Sequence, residues 1–161
     1  MSMSLSNISK FFAIFFAFVP CNLFAGEAPT TTDIARCVKT TKIVFNHKDD
    51  RNPKILDKYY APEFRRLIGK GVASEPGEAP FLDADFLRLT QDVFPKISQV
   101  GPGSVKDGRI SVPVVLRYSP DIVNTNTSVF QRLGDRWMIG DLVSNFGSLR
   151  ADLEQEFRGK K

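Results

Sequence analysis

After Thr30 the chain carries apolar and small residues at the spacing of an α-helix. Thr30 and Asp33 lie three residues apart, which is the spacing of a capping box. The residues that then share one helical face are Ile34, Cys37, Val38, Thr41 and Phe45. The pattern predicts an amphipathic first helix that ends before the polar segment HKDDRNPK.

Two further helical segments follow that polar interruption. Asn52 is a suitable N-cap, and Pro53 fits the first helical position because its missing N–H would have no partner there anyway. Pro62 begins the next short helix, PEFRRLIGKG, which we expect Gly69 or Gly71 to end. The segment VASEPGEAP is a loop by composition, and we favour a connection over a mobile lid.

One more helix is predicted in FLDADFLRLTQDVFP, with Asp83 or Asp85 as its cap and Pro95 at its end. Gln91 and Asp92 lie beside its apolar face. A solvated helix edge or a hydrogen bond to the sheet is the ordinary role for such residues, although both are also candidate binding residues.

Beyond these helices the hydrophobic period becomes that of a strand. ISQV predicts a short strand, and RISVPVVLRY alternates regularly, with Pro113 implying an edge position or a bulge. The residues expected to face inward are Ile110, Val112, Val114, Leu116 and Tyr118. Gly134 and Asp135 predict a tight turn that joins strands 128–133 and 136–142 into a hairpin.

The end of the chain predicts a closing helix, which Ser148 can cap. Helices followed by antiparallel strands predict an α+β domain, with N-terminal helices packed on one face of a strongly curved antiparallel sheet. The chain has 161 residues, which is enough for one hydrophobic core once a leader is removed. We therefore expect a single domain over residues 26–161.

Residues 1–25 have the features of an export signal. A lysine supplies positive charge, an apolar stretch covers residues 11–19, and small residues surround the expected cleavage site after Ala25. The stretch is too short to span a bilayer comfortably. Pro20 stands directly before Cys21, which argues against lipoprotein processing. We expect a periplasmic or secreted protein without a stable membrane anchor.

The chemically reactive residue types are few. The chain has 22 Lys and Arg against 18 Asp and Glu, scattered without a basic run between aromatic residues, so nucleic acid is not an expected partner. Cys37 would be the only cysteine left after export, and we expect a buried, unreactive thiol. With His47 as the only histidine, we expect no metal site, no cofactor and no serine–histidine–aspartate triad.

Three segments carry a resemblance to a known family: LDKYYAPEFRRLI, DFLRLTQD and RWMIGDLVSNFGSLRADL. The chain resembles exported bacterial proteins and lipoproteins of unknown function that have the cystatin-like cone of nuclear transport factor two. The most specific matching positions are Trp137, Ile139, Asp141, Gly147, Ser148 and Leu149. The lipoprotein members carry a lipobox, which this chain lacks.

The resemblance implies helices packed in the hollow of a bent sheet, with a pocket at the wide end of the cone. Related proteins use that pocket for isomerase or dehydratase chemistry, for small-ligand binding or for dimer contacts. The fold does not choose among these roles.

Asp141 is the candidate site residue with the clearest chemical alternative. Trp137, Ile139 and Asp141 have period two, so we expect all three on one face, which is the core or a pocket. A carboxylate there could act as a general base with a raised pKa. Alternatively, it accepts hydrogen bonds from the following turn or from an arginine such as Arg117, and holds the strand to the last helix. We favour the structural role.

The leading functional hypothesis is a non-enzymatic binding domain for a partner protein or a small ligand. An immunity or inhibitor protein of the cell envelope belongs to this class, and so does a domain that forms a homodimer. The candidate binding residues are Tyr59, Tyr60, Gln91, Asp92, Arg117, Trp137 and Asp141. The hydroxyls of Tyr59 and Tyr60 fit either a pocket mouth or the ordinary rim of a domain, and Trp137 is expected in the core. The alternative is a pocket-bearing isomerase or dehydratase, with Asp141 or Asp92 as base and a tyrosine hydroxyl polarising an oxygen.

Overall fold

The structure is a computed structural model that describes residues 27–73, 79–82, 85–88 and 95–159. Its helices are α1 (Thr31–Asn46), α2 (Pro53–Tyr59), α3 (Pro62–Val72) and α4 (Leu149–Glu156). Its strands are β1 (Lys96–Val100), β2 (Ser104–Lys106), β3 (Arg109–Arg117), β4 (Val123–Leu133), β5 (Arg136–Ser144) and β6 (Gly147–Ser148). The expected α+β class is confirmed: the N-terminal helices precede an antiparallel sheet, and a short helix closes the chain.

The helices begin where the sequence predicts. Thr30 Oγ1 accepts a hydrogen bond from the Asp33 amide at 3.1 Å, and Asp33 Oδ2 accepts one from the Thr30 amide at 3.0 Å, which completes the capping box. Asn52 Oδ1 accepts from the amide two residues later at 3.0 Å. Ser148 Oγ accepts from the amide three residues later, also at 3.0 Å. In each case the side chain accepts a hydrogen bond from a backbone amide that has no acceptor within the helix.

Helix α3 does not end at a glycine. It passes Gly69 and continues through Gly71 to Val72, so the expectation that one of these glycines terminates it is wrong. A Cβ atom at Gly71 would lie 2.8 Å from Leu153 Cδ2 and 2.9 Å from Leu82 Cδ1. Gly71 therefore serves the close approach of α3 to α4 and the segment at Leu82.

The sheet has the strand order β1-β3-β4-β5-β6. Strand β2 pairs with the N-terminal residues of β3, on the same side as β1. All of these pairings are antiparallel. The hairpin of β4 and β5 turns at Gly134, whose φ of +62° favours glycine, and at Asp135, as predicted. The short strand expected in ISQV is β1.

Strand β3 lies inside the sheet, so the edge position implied by Pro113 is wrong. The Pro113 carbonyl accepts a hydrogen bond from the Gly101 amide at 2.8 Å, just after β1 ends and before β2 begins. Within an antiparallel strand the N and O atoms of one residue point to the same neighbour. The missing proline N–H therefore faces this interruption between two strands, where the loss of a donor is tolerated.

The core lies between the helices and one face of the sheet. Its fully buried members on β3 are Ile110, Val112, Val114 and Leu116, as the alternating pattern predicts. Other core residues include Cys37, Val44, Phe45, Phe64, Ile68, Phe130, Ile139 and Leu153. Helices from both ends of the chain thus share one continuous core.

Several expectations fall outside the described residues: the export signal at 1–25, Gln91 and Asp92, and most of the helix predicted in FLDADFLRLTQDVFP. Within the described part of that segment, Asp85 Oδ1 accepts from the amides of Leu87 and Arg88 at 3.0 Å and 2.9 Å and closes a turn. Over the ranges that the structure describes, no helix is long and apolar enough to cross a membrane.

Candidate functional site

A β-bulge in β5 decides where Asp141 points. Phe130 of β4 lies opposite Ile139, whereas Val129 lies opposite Asp141, so Gly140 is an extra residue in β5. Since side chains alternate along a strand, Asp141 lies on the opposite face of the sheet from Ile139. The expectation that Asp141 shares the core face is wrong, because strict period two does not continue through a bulge.

The Asp141 carboxylate is occupied by the segment that follows it. Oδ1 accepts from the Leu142 amide at 2.8 Å and from the Arg150 amide at 2.9 Å. Oδ2 accepts from Ser148 Oγ at 2.7 Å. These are the hydrogen bonds expected for a structural role, and they tie β5 to the first turn of α4. Arg117, the alternative partner, instead donates to a backbone carbonyl between β3 and β4.

Most charged residues that line the cavity next to Asp141 are paired within the protein, whereas Arg109, also in the lining, forms no ion pair within the described ranges. The cavity has a volume of about 450 Å³ and lies between the outer sheet face, α3 and α4. The Arg150 guanidinium forms ion pairs with Glu63 at 2.8 Å and Glu154 at 2.7 Å. The hydrogen bond to Glu154 is the largest cause that raises the pKa of Arg150, and the contact with Glu63 raises it further. This cavity is a structural junction between α3, α4 and the sheet.

The two adjacent tyrosines have different surroundings. Tyr60 is 0% exposed, and its ring lies 6.0 Å from that of Phe64 and 6.5 Å from that of Phe86. Burial raises the pKa of Tyr60 far above its usual range. Within the described ranges its hydroxyl has no hydrogen-bond partner. Both expected positions, a pocket mouth and a domain rim, are therefore wrong for Tyr60, which is a core residue.

Tyr59 and Trp137 meet in a surface cavity that we call the basic groove. This groove has a volume of about 430 Å³ and lies between α1, α2 and the tip of the β4–β5 hairpin. Its lining residues are Arg36, Cys37, Lys39, Thr40, Ile43, Lys58, Tyr59, Asp135, Arg136 and Trp137. Both aromatic rings are half-buried. Trp137 was expected in the core, and it does pack against the core while one side remains in the groove.

Four cations and one carboxylate, Asp135, line the basic groove, and the Asp33 carboxylate lies beside it, close enough to Arg36 for the two charges to interact. Lys58 Nζ lies 5.2 Å from the centre of the Tyr59 ring, and Arg136 Nη2 donates to the Lys58 carbonyl at 2.9 Å. Neither these two cations nor Arg36 and Lys39 form an ion pair with any residue in the described ranges. The groove lining thus carries a surplus of positive charge, which Asp135 and the neighbouring Asp33 offset only in part.

Cys37 contributes a neutral floor to the groove. The residue is 1% exposed, and burial, with a smaller effect of the nearby Asp33 charge, raises the pKa of its thiol to about 12. A thiol with such a pKa stays protonated at neutral pH and is a poor nucleophile. This agrees with the buried, unreactive cysteine expected from its position on α1.

A buried ionic cluster holds the 85–88 turn against the end of α1. Arg88 is 5% exposed and forms an ion pair with Asp85, and its Nη2 donates to the carbonyls of Phe45 and His47 at 2.6 Å each. Asp50, which is 8% exposed, accepts from the Phe86 amide at 2.9 Å. Burial, and next the Asp85 charge, raise the pKa of Asp50 to about 6.

Sequence reasoning missed this cluster, because Asp50 stands in a segment interpreted only as a polar interruption. The pairing of Arg88 with two distant backbone carbonyls has no local signal. Among the residues of the described ranges, no group of three or more His, Cys, Asp or Glu is placed to hold a metal ion.

Comparison of the chain with protein-family models, with curated proteins and with solved structures gives no match.

Proposed function

We propose that this protein is a small exported domain without catalytic activity that binds a partner protein or a small ligand in the basic groove. Export follows from the signal expected at residues 1–25. An immunity or inhibitor protein of the cell envelope fits this description by its size and its export signal. The same features suit other periplasmic or secreted binding domains.

One observation carries the proposal: Tyr59 and Trp137, from different elements, lie in one groove with cations that have no ion-pair partner in the described ranges. Tyrosine, tryptophan and arginine are the residue types that contribute most at binding interfaces. A half-buried ring is already held in place by its own protein, so binding costs less conformational entropy than ordering a mobile side chain.

The enzyme alternative has less support. Asp141, its first candidate base, accepts three hydrogen bonds from residues that follow it in the chain, namely Leu142, Ser148 and Arg150. Tyr60, a candidate for polarising a substrate oxygen, is enclosed in the core. The second candidate base, Asp92, lies outside the described residues. No contact of the described residues favours isomerase or dehydratase chemistry.

A homodimer formed through the basic groove is disfavoured by its charge. In a two-fold symmetric contact the same patch faces itself, so the four cations of one copy would meet the four of the other. Like charges brought together at an interface oppose association. A different molecule with complementary charge is the better occupant.

Native mass spectrometry of the protein recovered from the cell envelope tests this function. We expect the mass of residues 26–161 together with a non-covalently bound partner or ligand. The variant carrying Arg36→Ala and Lys39→Ala should lose that bound species, while the control Lys42→Ala, on α1 but outside the groove lining, should keep it. Recovery of the bare chain alone would overturn the proposal.

A further inference from the structure

The positive charge of the basic groove comes from three separate elements. Arg36 and Lys39 belong to α1, Lys58 belongs to α2, and Arg136 begins β5. All four residues are exposed, so their charged ends remain hydrated while their stems cover the groove walls. This attachment to three elements spreads the charge along the groove, whereas a compact anion such as phosphate is held by donors that converge on one point.

We propose that the occupant of the basic groove is an acidic segment of a partner protein, with several Asp or Glu side chains along an extended or looped stretch. This inference rests on the proposed function and names the class of partner. Spaced carboxylates on one chain can reach cations on separate walls at the same time. The complementary charges give orientation and a fast association rate.

The lining between the cations suits a peptide that also carries apolar side chains. Tyr59 and Trp137 are half-buried, and Ile43 is 37% exposed at the edge of the groove. Thr40 and the neutral Cys37 complete the α1 side. Contact with an aliphatic or aromatic side chain would remove this apolar surface from water, which supplies affinity beyond the charge interactions.

A nucleic acid fits the same groove less well. Single strands bind by stacking their bases on open aromatic faces. Here the Lys58 ammonium lies over the Tyr59 ring, and the Trp137 ring is partly enclosed against α1. The Asp135 carboxylate, also in the lining, would repel a phosphate backbone, whereas a protein segment can place a donor beside it.

Trp137 gives a direct readout of this site, because it is the only tryptophan of the chain and lines the groove. The mature chain would be titrated with poly-L-glutamate, with monomeric glutamate at the same carboxylate concentration, and with single-stranded DNA of matched charge. We expect only poly-L-glutamate to change the tryptophan emission at low concentration. Its Kd should rise about tenfold between about 0.05 M and 0.3 M salt.

Matched charge reversals separate the groove from the net charge of the protein. Arg36→Glu with Lys39→Glu should weaken poly-L-glutamate binding by about tenfold or more, since both cations line the groove. Lys42→Glu with Lys54→Glu changes the net charge equally at exposed helix positions outside the lining, and should change binding by less than about twofold.

Equal losses for the two double variants, tighter binding of DNA, or no response to poly-L-glutamate would each overturn the acidic-segment proposal. Different results would overturn the proposed function. If native mass spectrometry finds a partner that is lost with Arg36→Ala and Lys39→Ala, but the protein does not bind poly-L-glutamate, binding in the groove stands and the acidic segment is wrong. If no bound species is found in the wild-type protein, the function itself is wrong.

Discussion

The Oδ2 atom of Asp141 lies 2.7 Å from Ser148 Oγ, and the same serine oxygen accepts a hydrogen bond from the Ala151 amide at 3.0 Å. One hydroxyl therefore donates to a carboxylate on β5 and accepts from the first turn of α4. The two residues form a single link between the last long strand and the closing helix.

This link predicts a cost in stability. Asp141→Asn replaces a charged acceptor, and we expect it to lower the free energy of unfolding by about 1–3 kcal/mol. Ser148→Ala removes the helix cap as well and should cost about 1–2 kcal/mol. Urea denaturation of both single variants and the double variant would give the coupling energy between them, which we expect at about 0.5 kcal/mol or more. Full additivity would contradict the single link.

Two glycines on α3 offer a matched pair. Gly69 has no atom within 4 Å of an added Cβ, so Gly69→Ala should stabilise the protein by about 0.5–1 kcal/mol through helix propensity. Gly71→Ala would push against Leu82 and Leu153 in the core and should destabilise it by about 1–3 kcal/mol. Melting temperatures measured side by side would test this, and a similar shift in the same direction for both would refute the packing role of Gly71.

Asp50 predicts a specific pH dependence. Its folded-state pKa of about 6 lies above the ordinary value of 3.8, because of burial and the Asp85 charge, while the Phe86 amide, Arg51 and Arg88 act in the opposite direction. Between those pH values the folded protein binds more protons than the unfolded chain, so its stability falls as pH rises from about 4 to about 6 and levels off above. Tyr60, which also faces Asp50, stays protonated throughout.

The variant Asp50→Asn keeps an oxygen acceptor for the Phe86 amide and removes the titrating group. We expect it to lose this pH dependence and to gain roughly 1–3 kcal/mol of stability at neutral pH. Denaturation curves at several pH values, compared with the wild-type protein, measure both effects. Parallel pH profiles for the two proteins would show that Asp50 is not the responsible group.

Tyr60→Phe tests whether the buried tyrosine has a chemical role. Its hydroxyl is buried without a hydrogen-bond partner in the described ranges, so its removal should leave stability unchanged or raise it slightly, by less than about 1 kcal/mol. Binding at the basic groove should also be unchanged, because Tyr60 does not line it. Loss of binding or a clear loss of stability in Tyr60→Phe would indicate a partner or ligand at this hydroxyl.

Local sequence signals predicted the parts of the fold that depend on neighbouring residues. The capping box of Thr30 and Asp33 and the turn at Gly134 and Asp135 are examples, since each is formed by residues a few positions apart. The bulge at Gly140 was missed, because an extra residue in a strand leaves no clear mark in the hydrophobic pattern. That single residue moved Asp141 to the other face of the sheet.

The candidate site was predicted only in part for the same reason. Tyr59 and Trp137 stood out as aromatic candidates, but their meeting depends on how α2 packs beside the hairpin. Neither Arg36 nor Lys39 was predicted as a candidate from the sequence, because nothing in the local pattern of α1 sets them apart. Their importance follows only from the long-range contacts that place a surplus of cations around two aromatic rings.

Site-specific photo-crosslinking in cells that produce the protein tests the basic groove most directly. A crosslinking amino acid replaces either Ile43, at the edge of the groove, or Lys106, an exposed residue of β2 outside it. We predict an adduct from position 43 only, formed with an acidic segment of a partner and lost when Arg36→Glu and Lys39→Glu are added. Equal adducts from both positions, or none from position 43, would contradict binding in the basic groove.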